Sequence, residues 1–86
     1  MYEIIFTDKS KKQFLKLDHN IQERIGSVLE RIKIRPEHFV ERLVGEPGYK
    51  LRVGDYRLIL DIDKSQLIIL ILKIGHRKNI YKNYYN

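Results

Sequence analysis

Cysteine and tryptophan are absent from this chain, and methionine occurs once, as the first residue. Without cysteine there is no disulfide framework and no thiolate zinc site, and a reducing compartment is the fitting environment. Long apolar runs are also missing, because the longest, over 67–72, falls far short of the ~20 residues of a membrane-spanning helix. The opening segment, MYEIIFTDKSKK, holds too short an apolar stretch for a signal peptide. We therefore expect a soluble cytoplasmic protein without a membrane partner.

The charge balance of the chain is strongly positive. Its 86 residues contain 17 Lys and Arg against 11 Asp and Glu, which gives a net charge of +6. Hydrophobic residues make up 43% and charged residues 33%, so the composition is globular, and the length suits a single domain over residues 1–86. A basic surface favours a polyanionic partner, nucleic acid first, with a generally solubilising surface as the alternative.

The pattern of apolar and turn-forming residues predicts six elements. In chain order they are a strand over 2–6, a helix from Thr7 or Asp8 to Leu17, a second helix from Asn20 to Arg35, and, after a loop over 36–48, strands over Tyr49–Val53, Tyr56–Ile62 and Leu67–Ile74. Gly54-Asp55 and Lys64-Ser65 are the turns, and Gly75 stops the last strand. The order β-α-α-β-β-β predicts an α+β fold, with two helices on one face of a mainly antiparallel four-stranded sheet and a short C-terminal helix or tail.

The second helix carries the strongest helical signal in the chain. Its apolar residues recur at helical spacing along one continuous stripe: Ile21, Ile25, Val28, Leu29 and Ile32. Asn20 is expected to cap this helix, with Glu23 reaching back to it as in a capping box. The helix should end at Arg35-Pro36, because the residue before a proline is disfavoured in the helical region.

The segment around the Gly54-Asp55 turn predicts a cluster of cations on one face of the sheet. A two-residue turn places Arg52 directly opposite Arg57, and strand alternation puts Lys50 on the same face. Two opposed arginines repel each other, whereas an anion between them reverses the sign of the interaction. The alternative to a phosphate site is neutralisation by a nearby carboxylate, from Asp61, Glu41 or Glu46.

The end of the chain adds a further cation and several aromatic residues. Arg77 follows the last strand, and Tyr81, four residues later, is a candidate for stacking on a nucleobase beside the cations. The alternative is that Tyr81, Tyr84 and Tyr85 only pack the tail and that His76 is a surface residue. No HxH or HExxH spacing occurs, so we predict neither a metal site nor a cofactor.

The sequence resembles the RelE/ParE superfamily of bacterial and archaeal toxins in YKLRVGDYRLIL, in DKSQ, in LIILILKIGHRKNIY, and in the segment from RPEHF to RLVGEPGYK. The resemblance covers nearly the whole chain, and its most specific part is the combination of LRVGDYRLIL with IGHRKNIY. It implies the toxin of a type II toxin–antitoxin system. For the RelE branch it implies a ribosome-dependent mRNA endonuclease that cleaves in the A site, without a metal, and so inhibits translation.

The resemblance also implies roles for individual residues. A ribose 2′-hydroxyl attacks the adjacent phosphate and leaves a 2′,3′-cyclic phosphate. Lys50 matches a lysine that contacts the phosphate, Arg57 an arginine that stabilises the transition state, and Arg77 an arginine that assists the leaving oxygen. Tyr81 matches a tyrosine that stacks on the substrate base. Arg52 departs from the pattern, because some members carry there a lysine thought to act as general base, and arginine stays protonated.

The sequence leaves the general base and the exact function open. The general base could be Lys50, if its cationic neighbours favour the neutral amine, or His76, if it reaches the site; otherwise the ribosome supplies or reorients the group. A ParE-like inhibitor of DNA gyrase without nuclease activity and a non-catalytic RNA-binding module are the alternative functions. The expected partners are the ribosome, mRNA and a cognate RelB-like antitoxin, acidic and helical, in a heterodimer or heterotetramer.

Overall fold

The computed structural model describes residues 1–80, in which two α-helices accompany one five-stranded sheet. In chain order the elements are β1 (Glu3–Phe6), α1 (Asp8–Leu15), α2 (His19–Ile32), a 3₁₀ helix (Pro36–His38), β2 (Val40–Arg42), β3 (Tyr49–Val53), β4 (Tyr56–Asp63) and β5 (Ile68–His76). The strands lie in the order β1-β5-β4-β3-β2. Only β1 and β5 run parallel among these pairs, so the predicted α+β fold with a mainly antiparallel sheet is confirmed.

The predicted number of strands was wrong, because the segment expected to be a loop contains β2. Its three residues pair antiparallel with β3, with Val40 opposite Leu51 and Arg42 opposite Tyr49. The guanidinium carbon of Arg42 also lies 5.7 Å from the centre of the Tyr49 ring, within reach of a cation–π contact. A strand this short shows too little alternation to be read from sequence, and it forms only because β3 offers it a partner.

Helix α1 begins where the sequence predicts and ends earlier. The hydroxyl oxygen of Thr7 accepts a hydrogen bond from the backbone N–H of Ser10 at 3.1 Å, so Thr7 is the N-cap. The helix ends at Leu15 rather than Leu17. The N–H groups of Lys16 and Leu17 donate to carbonyls three residues back, and this tighter bonding closes the last turn.

Helix α2 begins one residue before the predicted cap. Asp18 occupies the N-cap position, and its carbonyl accepts from the N–H groups of Ile21 and Gln22. The expected capping box at Asn20 is therefore wrong, and the carboxylate of Glu23 instead lies 2.9 Å from Nε2 of His19. The apolar stripe is confirmed, since its members are buried against the sheet or packed beside the core. The helix ends at Ile32, ahead of the proline.

The hydrophobic core lies between α2 and one face of the sheet. Its buried members are Ile25, Leu29, Ile32, Leu51, Val53, Leu58, Leu60, Ile69, Ile71 and Ile74. The opposite face of β3 and β4 carries the cations, as alternation requires. Within residues 1–80, neither helix combines the length and the apolar character needed to cross a bilayer.

Helix α1 covers the part of β5 that extends beyond β1. The hydroxyl of Ser10 donates to the carbonyl of Ile71 at 2.7 Å, and the N–H of Ile74 donates to the side-chain oxygen of Gln13 at 2.8 Å. Ser10 is fully buried in this contact. The helix thereby satisfies backbone groups that a neighbouring strand would otherwise bind.

A bulge in β5 decides which of its side chains reach the cation face, which is the face of the sheet that carries Lys50, Arg52 and Arg57. Ile59 pairs with Lys73 but Leu60 pairs with Ile71, so Leu72 is an extra residue in β5. The bulge reverses the alternation, so that Ile71 and Ile74 both belong to the core. The strand also continues through Gly75 to His76, so the expectation that Gly75 stops it was wrong.

Candidate active site

The cation face carries an open cleft of about 500 Å³. Its lining consists of one carboxylate and five cationic residues: Glu41, Lys50, Arg52, Arg57, Arg77 and Lys78. Lys50, Arg52 and Arg57 share this face as the sequence predicts, and Arg77 joins them from the segment that follows β5. Lys78 is an addition that the sequence reasoning did not place in the cleft, whereas Glu41 is one of the carboxylates named there as a possible neutralising partner. An excess of cations in a concave surface favours a polyanionic ligand.

The β3–β4 hairpin places the two central arginines. Arg52 pairs with Arg57 and Val53 with Tyr56, which confirms the two-residue turn. Gly54 has a φ of +58°, a conformation that glycine adopts without strain. The turn therefore sets the register that brings like charges together across the strands.

Arg57 is the most constrained cation of the cleft. Its Nη1 donates to the carbonyls of Gly54 and Tyr56, both at 2.9 Å, and only 9% of the residue is exposed. By contrast, Arg52 is exposed, and its side chain makes no hydrogen bond or ion pair within residues 1–80. Arg57 therefore presents its guanidinium from a fixed position, which favours electrostatic stabilisation of a bound anion.

Carboxylates only partly neutralise the cleft. The Glu41 carboxylate lies 3.9 Å from the Lys50 ammonium, and the Asp55 carboxylate lies 3.7 Å from Nε of Arg77. Both contacts are long and involve partly exposed side chains, so each contributes little stability. Within the described chain, the predicted alternative of a carboxylate paired with Arg52 or Arg57 is not what the structure shows.

Arg77 is held against the hairpin by its own backbone. Its N–H donates to the carbonyl of Asp55 at 2.8 Å, in addition to the side-chain contact with the Asp55 carboxylate. Gly75, two residues earlier, is the partner of Arg57 in the sheet. Arg57 and Arg77 are therefore both positioned by the turn that joins β3 to β4.

His76 lies away from the cations. It pairs with Tyr56, and the two rings make an edge contact with centroids 5.5 Å apart. Tyr56 in turn pairs with Val53, a core residue, so alternation places His76 on the face opposite Arg57. Its Nδ1 accepts from the N–H of Lys78 at 3.1 Å. Tyr81 lies outside the described residues, as do Tyr84 and Tyr85.

Lys73 is a residue of this face that sequence reasoning missed. Only 9% of it is exposed, and its ammonium donates to the carbonyl of Ile80 at 2.9 Å. Burial lowers the pKa of Lys73 below its ordinary value, and the nearby charge of Lys9 adds to that effect. The sequence signal for Lys73 is a single lysine in the otherwise apolar strand IILILKIGH. The bulge that turns Lys73 toward Ile59 has no sequence signature.

The arrangement suits binding and stabilising a phosphate group. Arginine guanidinium groups match the geometry of phosphate oxygens, and a fixed donor loses little freedom when the anion arrives. Arginine is a poor proton acceptor, so the cleft is suited to electrostatic stabilisation of an anion more than to acid–base catalysis.

Comparison with known proteins identifies the family of the chain. Residues 4–81 match the family described as the ParE toxin of the type II toxin–antitoxin system parDE. The mRNA interferase toxin RelE of Escherichia coli K12 is 24% identical over 80 residues, which cover 90% of this chain and 84% of that protein. In the crystal structure of the intact E. coli RelBE toxin–antitoxin complex, the matching chain is 25% identical, with a TM-score of 0.76 and coverage of 88% of this chain and 96% of that chain.

A complex from an archaeon gives the same result. In the RelE–RelB complex of Pyrococcus horikoshii OT3, the matching chain is 26% identical with a TM-score of 0.76, over 91% of this chain and 97% of that chain. The family match extends through both helices, the hairpin and β5. The chain therefore belongs to the ParE toxin family of type II toxin–antitoxin systems, within the RelE/ParE superfamily that its sequence resembles.

Proposed function

We propose that this toxin is a metal-independent, ribosome-dependent mRNA endonuclease that inhibits translation by cleaving the message in the A site. The observation that carries the proposal is the cleft, in which one turn positions both Arg57 and Arg77 beside Lys50 and Arg52. The similarity to the mRNA interferase toxin RelE supports the same reading. A cleft with five cations and one carboxylate is suited to the backbone of RNA.

In the proposed reaction the 2′-hydroxyl oxygen attacks the adjacent phosphorus, and the bond from phosphorus to the 5′-oxygen breaks. The products are a 2′,3′-cyclic phosphate and a free 5′-hydroxyl. Lys50 and Arg52 bind the phosphate oxygens, and Arg57 stabilises the extra negative charge of the pentacovalent transition state. Arg77 stabilises the leaving 5′-oxygen, and Tyr81 stacks on the base.

Proton abstraction is the step for which this chain has the fewest candidate residues. Arginine is a poor proton acceptor, so Arg52 is not assigned the role of base. His76 lies on the other face of the sheet and is not part of the cleft lining, which argues against it. Lys50 and a group of the ribosome remain as the candidates. We accordingly infer that electrostatic stabilisation by the arginines contributes more to the reaction than any single general base.

Primer extension on a message during cell-free translation tests the proposal. Wild-type protein should produce cuts within codons, whereas Arg57→Ala and Arg77→Ala should each lose most cleavage while keeping the fold. Arg31→Ala is the matched control, because it removes the same charge from an exposed position on α2, away from the cleft. Full cleavage by both cleft variants would show that the site assignment is wrong.

A cognate antitoxin is the proposed partner. Two of the similar structures are complexes of RelE with RelB, which supports this assignment. An acidic, helical antitoxin would complement the cations of the cleft and hold the toxin inactive, in a heterodimer or heterotetramer. Co-expression with the neighbouring reading frame, followed by size-exclusion chromatography, measures the stoichiometry.

A second candidate function is inhibition of DNA gyrase without nuclease activity. The description of the matching family as the ParE toxin favours it. A gyrase cleavage assay run beside the primer extension separates the two functions. Stabilised gyrase–DNA cleavage with no cuts in the message would replace the endonuclease proposal with this one, and RNA binding without either activity would leave a non-catalytic RNA-binding module.

A further inference from the structure

The floor of the cation face contains a lysine to which the proposed reaction gives no role. Lys73 of β5 pairs with Ile59 of β4, and Ile59 pairs with Lys50 of β3. The three residues therefore form one row across the face that carries the cleft. Whereas Lys50 lines the cleft, Lys73 is buried and does not line it.

The ammonium of Lys73 reaches the segment that follows β5. It donates to the carbonyl of Ile80 at 2.9 Å, and Ile80 is itself only 1% exposed. Ile80 packs over Gly75, with its Cδ1 3.0 Å from the position that a Cβ at residue 75 would occupy. The missing side chain at Gly75 thus makes the space in which Ile80 sits, next to the lysine that binds its carbonyl.

The turn over residues 76–80 is fixed at both ends by these contacts. The N–H groups of Asn79 and Ile80 donate to the carbonyl of His76, both at 2.9 Å, which closes the turn on itself. At its start, the N–H of Arg77 donates to the carbonyl of Asp55 in the hairpin. Arg77 therefore lies between two fixed points. One is the hydrogen bond of its own N–H to the hairpin, and the other is the hydrogen bond from Lys73 of β5 to the Ile80 carbonyl.

The hydrogen bond to Ile80 distinguishes this lysine from an apolar residue of similar length. Burying an ammonium group carries a desolvation penalty that an apolar side chain of similar length avoids. Methionine would fill the same space along Ile59 and Ile80 without that penalty. What methionine cannot do is donate a hydrogen bond to the Ile80 carbonyl.

We propose that Lys73 is a positioning residue: by binding the Ile80 carbonyl it holds the turn over residues 76–80 on the sheet, and so fixes Arg77 at the cleft. The catalytic consequence rests on the proposed endonuclease function, whereas the anchoring of the turn does not. Lys73 acts through Arg77 and does not touch the RNA.

Amide hydrogen exchange of Lys73→Met, measured by NMR, tests the anchor directly. Exchange at the amides of Asn79 and Ile80 should become about tenfold faster or more, while the amides of Ile69 and Ile71 in the core of β5 stay protected. Lys64→Met is the matched control, because Lys64 lies exposed in the turn between β4 and β5, and its substitution should change none of these rates. Unchanged exchange at residues 79 and 80, or faster exchange throughout the sheet, would overturn the proposal.

A measurement on the wild-type protein keeps the proposal testable if the variant does not fold. The ammonium protons of Lys73 should exchange slowly enough to give a ¹⁵N-correlated signal, unlike those of the exposed Lys64. Absence of that signal in a fully assigned spectrum would refute the hydrogen bond to Ile80.

Comparing the effects of Lys73→Met on kcat and on KM tests the link between the anchored turn and catalysis. Lys73→Met should lower kcat for cleavage of translated mRNA by about tenfold with little change in KM, because a misplaced Arg77 affects the transition state more than ribosome binding. A loosened turn with unchanged kcat would overturn the catalytic part of the proposal. If wild-type protein cleaves nothing, the endonuclease function fails, and the exchange rates alone decide on Lys73.

Discussion

The opposed pair Arg52 and Arg57 allows a prediction in which two similar substitutions change stability in opposite directions. The two residues face each other across the hairpin. Two unit charges ~6 Å apart in water repel by about 0.7 kcal/mol, and salt reduces this to a few tenths. Arg52 is exposed, so Arg52→Ala removes this repulsion and little else. It should raise the free energy of unfolding by a few tenths of a kcal/mol.

Arg57→Ala should have the opposite effect. It removes the same repulsion but also the hydrogen bonds from Nη1 to the carbonyls of Gly54 and Tyr56. Hydrogen bonds from a charged donor contribute about 1.5–3 kcal/mol, and since one nitrogen makes both bonds beside an exposed turn, the lower end applies. The net loss should be about 1 kcal/mol, which corresponds to ~4–8 °C in Tm for a domain of this size.

Thermal unfolding at low and high salt checks both values. The gain in Arg52→Ala should vanish at high salt, whereas the loss in Arg57→Ala should persist, because hydrogen bonds are screened far less than surface repulsion. Added inorganic phosphate should stabilise the wild type more than either variant, by mass action on the cleft. If Arg52→Ala lowered stability as much as Arg57→Ala, the repulsion argument would be refuted.

Three further substitutions concern the turns. Gly54→Ala should lose about 1 kcal/mol of stability in thermal unfolding, because φ is +58° and the new Cβ would lie 3.1 Å from Nη2 of Arg24. Leu67→Gly should gain about 0.5 kcal/mol by relieving a φ of +56° at a partly exposed residue, and a loss would contradict this. The Ser65 hydroxyl, with the Gln66 N–H, lowers the pKa of Asp63 below 3.8. The Asp63 carboxylate therefore stabilises the fold above pH 3.8, and this contribution is lost as pH falls through the lower folded-state pKa. In an acid titration monitored by circular dichroism, the stability of Asp63→Asn should fall less steeply with decreasing pH than that of the wild type.

The parts of the fold that sequence predicts well are those governed by local chemistry. The stripe of α2 follows from 3.6-residue periodicity, and Gly54-Asp55 specifies a two-residue turn, from which the register of Arg52 and Arg57 follows. This is why Lys50, Arg52 and Arg57 could be expected on one face of the sheet from the sequence.

The missed features depend on contacts between distant segments. β2 is a strand only because Val40 meets Leu51. The N-cap of α2 is Asp18 rather than Asn20, and it bonds through its backbone without a side-chain cap. The bulge at Leu72 follows from the pairing of β4 with β5, and without it Lys73 would be assigned to the wrong face. Such choices are decided by tertiary packing, which single-sequence patterns do not contain.

The short outer strands of the sheet have a consequence for how the protein can be recognised. β1 and β2, the two edges, have only four and three residues, and α1 covers the exposed continuation of β5. Little backbone is therefore offered to an added strand, which limits both self-templated aggregation and capture by strand addition. We therefore expect a partner to bind residues 1–80 chiefly through side chains on the faces of the sheet, where substitutions can change specificity without disturbing the strands.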